Sequence, residues 1–207
     1  MNRAFAAFLL LWLCLTGAAA QDVPAPTPIH PGDVLRGHFV QTRQLKDINK
    51  TLHTEGDFTI APANGLIWNV TKPFATTIIV TRTGLVQTRG EPKSASPSFQ
   101  KLPTAGELYA MLGNLLTGDI ASLNKTFRID QSGRAAHWRM SLVPRHWGDP
   151  LMPFREIRIH GGRFVEDITF IKADGDVDSD TISFDAMSIA KNTLTANERD
   201  TFAQVVP

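Results

Sequence analysis

Apolar and polar positions alternate over much of the chain after residue 33. VLRGHFVQTRQL (34–45) is a long alternating run, followed by HTEGDFTI (53–60), GLIWNV (65–70), TTIIVTR (76–82) and GLVQT (84–88). Turn formers separate them: Asn49, Ala61-Pro62-Ala63-Asn64, Lys72-Pro73 and Thr83-Gly84. A period of two broken by short polar turns predicts strands. With no helix between them, neighbours pair antiparallel, because a parallel crossover needs a long connection. RGEPKSASPSFQK (89–101) has no such period and two prolines, which predicts a surface loop.

The period then changes. Leu108, Met111, Leu112, Leu115 and Leu116 fall at i, i+3, i+4, i+7 and i+8, the stripe of an amphipathic helix. Pro103-Thr104 suits its start and Gly118 its stop, with a further short helical turn over 119–123. Strand signals resume at 126–130, 135–144, 154–160, 163–173 and 181–187, with hairpin-type turns at His160-Gly161-Gly162 and Asp174-Gly175. The polar tail KNTLTANERDTFAQVVP (191–207) reads as a last strand or an extended end. The pattern predicts a mainly β (α+β) domain: one antiparallel, strongly curved sheet with a helical segment inserted mid-chain.

The front end fixes the expected compartment. MNRAFAAFLLLWLCLTGAAAQD carries a positive residue, Arg3, a short apolar run from Ala4 to Leu15, and the small-residue pattern Ala18-Ala19-Ala20. That is the design of a cleaved signal peptide over 1–20, too short for a spanning helix. QDVPAPTPIHPGD (21–33) reads as a Pro-rich linker, and 34–207 as one domain. Cys14, the single cysteine, leaves with the signal, so no disulfide, thiolate metal site or Cys nucleophile is expected. Basic and acidic residues number 21 and 20, and loss of Arg3 balances them. That neutrality argues against a nucleic-acid partner.

Catalytic chemistry finds no anchor. The six histidines form no HExxH, and there is no GxSxG elbow, P-loop or GxGxxG. No catalytic residue, metal or cofactor is expected. Asp174, Asp176 and Asp178 have the spacing of a calcium loop, with Asp185 at its twelfth position. Ser179 stands where the sharp turn needs Gly, and the flanks are strands, so a solvated acidic hairpin is the plainer reading. Three sequons, at Asn49, Asn69 and Asn124, are read as coincidence. What remains is an apolar inventory: Phe39, Phe58, Ile60, Leu66, Trp68, Ile78, Val80, Leu108, Leu112, Leu115, Trp138, Met140, Leu142 and Phe154. Each is a core residue first. Together they become a ligand-binding surface only if they line one concave face.

FVQTR (39–43), GDF (56–58), GLIW (65–68) and KPF (72–74), in that order behind a signal peptide, resemble the periplasmic outer-membrane lipoprotein carrier (LolA-like) family. The likeness runs over roughly 34–187 and includes LLTGDIASLNKTFRID and HWRMSLVP. It implies an incomplete β-barrel with a helical lid over an apolar cavity. It also implies a monomeric, non-enzymatic carrier. Such a carrier takes lipoprotein acyl chains, or another lipid, from an inner-membrane donor complex to an outer-membrane acceptor. Leu108, Met111, Leu112, Leu115 and Leu116 would then face the cavity from the lid, and Phe39, Phe58, Trp68 and Trp138 from the sheet. Two departures stand out. Pro62 occupies the position of the arginine that latches the lid in the best-known carriers, leaving Arg82 or Arg89 as replacements, and the family's N-terminal helix gives way to 21–33. The competing readings are a half-barrel sensor or scaffold that contacts a protein partner, and an exported enzyme.

Overall fold

The computed structural model describes residues 26–45, 49–90, 98–99, 103–146, 154–172 and 179–205. The signal-peptide expectation (1–20) and the acidic residues Asp174, Asp176 and Asp178 lie outside them.

The strands are β1 (Asp33–Leu45), β2 (Lys50–Ala61), β3 (Gly65–Lys72), β4 (Thr76–Val80), β5 (Leu85–Arg89) and the short β6 (Ser98–Phe99). Helices α1 (Pro103–Leu116) and α2 (Ile120–Leu123) follow. Next come β7 (Phe127–Arg134), β8 (His137–Pro144), β9 (Phe154–Gly161), β10 (Val165–Lys172), β11 (Ser179–Lys191) and a C-terminal helix α3 (Ala196–Phe202). All eleven strands form one sheet in the order β6-β5-β4-β3-β2-β1-β11-β10-β9-β8-β7. Every paired neighbour is antiparallel. The strands at the two ends of that order, β6 and β7, are not paired with each other among the described residues, so the sheet stays open.

The topology explains the curvature. The first meander walks from β1 out to one edge, and the second walks from the other edge back to β11, beside β1. The crossing between edges is α1–α2. Laid flat, ten inter-strand spacings of about 4.8 Å would set the edges roughly 48 Å apart. The 14 residues of α1 span only about 21 Å. Side chains from β4 and from β8 join one apolar cluster with α1, which shows that the sheet curls towards the helix. Helix α1 ends in a Schellman motif: Asp119 N–H donates to Asn114 O (2.9 Å) and Gly118 N–H to Leu115 O (3.2 Å), with Gly118 at φ 73°. Asp119 then caps α2 by accepting from Ser122 N–H (3.2 Å).

Two expectations change here. The described part of 21–33 is docked, not free. Thr27 N–H donates to Arg163 O and Ile29 N–H to Thr117 O, each at 2.9 Å. Ile29 is buried in the main core. The tail is also not a strand: Thr195 and Glu198 form a reciprocal capping box and 196–202 coil into α3. Phe202, Val205 and Leu194 pack on Val34, Ala61, Ile67, Ile79 and Val86 from the outer face of the sheet. Strand β3 is thus covered on both sides, which is why Leu66, Ile67 and Trp68 are all buried in succession.

Candidate functional site

Strand pleating sorts side chains by parity. On β2, β3 and β4, residues Phe58, Ile60, Leu66, Trp68, Ile78 and Val80 join the α1-side cluster, while Ile67 and Ile79 join the opposite one. The same holds across the sheet on β8, where Trp138, Met140 and Leu142 are buried and the intervening Arg139 is exposed. Phe39 completes the set on β1. From the lid, Leu112 and Leu115 are buried against them, with Met111 and Leu116. Leu108 lies on α1, but its side chain falls outside the described residues.

The centre of the inner face is aromatic. Trp68 stacks on Phe39, with ring centroids 3.8 Å apart and planes 26° from parallel. Phe58 lies 6.0 Å from Trp68, also near parallel. Phe184 meets Phe58 edge-on at 5.6 Å and Trp68 at 6.3 Å. Register puts these rings together: Phe58 is opposite Trp68, and Phe39 opposite Phe184. Trp138 is fully buried, and its Nε1–H donates to Gly162 O at 2.6 Å, so the indole's one polar atom is satisfied.

Sequence reasoning took Trp138, Met140, Leu142 and Phe154 from the second meander but left out the rest of its contribution. Ile157, Ile159, Ile168, Phe170, Ile182 and Phe184 also belong to this face. The alternation in FREIRIH and TISFD carried that signal. Ile29 and Leu35 are further additions at the near end.

The buried residues that form this face are all apolar among the described ones. Among the described residues, Thr88 is the one buried polar side chain. No group of His, Cys, Asp or Glu among them is placed to hold a metal ion. Further along β1 the sheet turns polar: Gln41 and Arg43 both donate to Asp180, at 2.7 Å and 2.6 Å. On the outer face, Ser183 donates to Asp167, whose other oxygen lies 2.8 Å from His160 Nε2. The carboxylate sits between hydroxyl and imidazole, so the histidine is not placed to activate the serine.

Glu107, the one charged residue of α1, has its side chain outside the described residues. Their ion pairs join strand to strand, neighbours within a segment, or strand to α3. The helix-clamping arginine is Arg36 on β1. Its Nε and Nη2 reach Glu198 Oε1 and Oε2 at 2.7 Å and 2.6 Å, fastening α3 to the outer face. Glu198 is thereby held down at about 2, through the Arg36 hydrogen bond first, with help from Thr195 N–H and Thr59.

The fold is thus an open, curled antiparallel sheet whose apolar inner face is roofed by one amphipathic segment. Over residues 29–199 the chain matches the family described as outer membrane lipoprotein carrier protein LolA-like, and it belongs to that family. Comparison with curated proteins returns no match. Among solved structures it is similar to a LolA superfamily protein from Nitrosomonas europaea, at 9% identity and a TM-score of 0.39, over 81% of this chain and 90% of that one. Among the described residues no helix is long and apolar enough to cross a membrane.

Proposed function

We propose that the chain is an exported, non-enzymatic carrier. It binds lipoprotein acyl chains, or another lipid, on the inner face beneath α1 and moves them from the inner towards the outer membrane. The observation that carries this reading is the continuous apolar face roofed by α1, in a chain of the lipoprotein-carrier-like family. The cleaved signal over 1–20 and a periplasmic site belong to the same reading, as do an inner-membrane donor and an outer-membrane acceptor.

The energetics suit exchange. Met111, Leu112, Leu115 and Leu116 are buried against the sheet. Exposing four such side chains costs about 6–12 kcal/mol, at about 1.5–3 each. An acyl chain of about fifteen CH₂ groups regains about 12 kcal/mol at about 0.8 per group. Cargo and lid are therefore close competitors for one surface, so loading and release both stay accessible. No bond is made or broken.

The test is to extract the purified mature chain with organic solvent and identify lipids by mass spectrometry. Recovery of near-stoichiometric lipid supports the carrier. An extract without lipid, together with Trp fluorescence that ignores added acyl probes, would leave the scaffold reading in its place.

A further inference from the structure

We infer that the outer face of the sheet carries a second site, a groove for a neutral sugar or similar polyol. It lies against α3, on the side opposite the apolar cluster under α1, so it stands independently of the lipid reading. The groove encloses about 530 Å³ between the sheet and the C-terminal segment. Its floor is a cross-strand row of short polar residues in register: Asp57 opposite Asn69, Asn69 opposite Thr77, and Thr77 opposite Thr88. Its wall is Asn197, Thr201 and Gln204.

The chemistry of this lining selects a class of ligand. Its charged groups are both carboxylates and both are engaged, Glu198 with Arg36 and Asp57 with His38 at 3.2 Å. A lining without a cation does not attract a phosphate or sulfate, and a floor of amide and hydroxyl groups does not attract an acyl chain. The carboxamides of Asn197 and Gln204 make no side-chain hydrogen bond to a described residue, and Asn69, also in the lining, uses its Oδ1 to accept from Thr77 (2.9 Å). Carboxamides supply paired donor and acceptor atoms, the complement of vicinal hydroxyls on a sugar ring.

The probes are maltose, methyl glucoside and octyl glucoside, the last kept below its micelle concentration. Each is titrated into the ¹⁵N-labelled mature chain, with side-chain amide resonances as the readout. Saturable shifts at Asn69, Asn197 and Gln204 are expected. Asn197→Ala should weaken binding about tenfold, the effect of losing one or two hydrogen bonds, with an unchanged melting temperature, and Gln204→Ala should do the same. Equal binding of methyl and octyl glucoside identifies free saccharide as the ligand, and binding of octyl glucoside alone identifies a glycolipid headgroup. No saturable shift with any of the three, or shifts that survive both substitutions unchanged, overturns the site.

Discussion

Arg36 and Glu198, 162 residues apart, form a two-pronged ion pair at 2.7 Å and 2.6 Å that fastens the C-terminal helix to the first strand. Arg36 Nη2 also donates to Thr193 O (2.8 Å), and Thr59 adds a hydroxyl to Glu198 (3.0 Å). The clamp closes the outer apolar layer over Ile67, Ile79 and Val86.

A pH dependence follows from it. The Glu198 carboxyl is ordinary near 4.5 in an unfolded chain and held at about 2 in the fold. A depressed carboxylate contributes stability above its unfolded value and loses it as pH falls towards its folded one. Between 4.5 and 2 the native chain should therefore lose about 1–3 kcal/mol from this group, allowing for partial solvent screening. Urea midpoints measured across that window should fall more steeply for the native chain than for Glu198→Gln. Parallel slopes would remove the clamp from the account.

The register beneath Trp68 depends on a residue without a side chain. A Cβ on Gly56 would lie 2.0 Å from Asn69 O, well inside contact distance, where β2 meets the irregularity in its pairing with β3. Gly56→Ala should force the strands apart beside the aromatic stack. We expect a loss of about 3 kcal/mol and a red shift in Trp emission. A variant with native stability and native emission would show that the two strands have slack there.

Trp138 offers a separate test of the far wall. In Trp138→Phe an aromatic ring stays in the core, but the five-membered half of the indole and its hydrogen bond to Gly162 O are lost, so the packing loss adds to that of the bond. A carbonyl left without its partner in a buried setting costs about 1–3 kcal/mol. Chemical denaturation reads the sum, and a loss below a few tenths would mean that water takes the place of the indole N–H.

How the sequence relates to the fold can be judged residue by residue. Alternation marked the strands that carry Phe58, Ile60, Leu66 and Trp68, whose common face came only from the family resemblance, and the i, i+3, i+4 stripe of Met111, Leu112 and Leu115 identified α1. Helix α3 was hidden because seven residues are too few for a helical period to show. Its capping pair, Thr195 with Glu198, was the legible signal. The outer layer was hidden for a related reason. GLIW and TIIV are continuous apolar runs, the mark of strands covered on both faces, yet the segment that covers them lies more than a hundred residues further on. No ion pair of Arg82 or Arg89 appears among the described side chains, which do not include Glu107 of α1. The arginine that clamps a helix sits instead on β1, a long-range pairing that no local spacing encodes.

In the proposed carrier, cargo and α1 compete for the inner face, and a titration reads that competition. A fluorescent fatty-acyl probe is titrated into the native mature chain and into Met111→Ala/Leu112→Ala, with thermal melts alongside. Truncating two buried lid residues should lower the melting temperature of the free protein, because each removes about 2–5 kcal/mol of packing. The same change weakens the lid as a competitor, so the probe should bind the variant several-fold more tightly than the native chain. If both chains fold and neither binds the probe saturably, or if affinity falls in step with stability, the inner face is plain core and the carrier account is wrong.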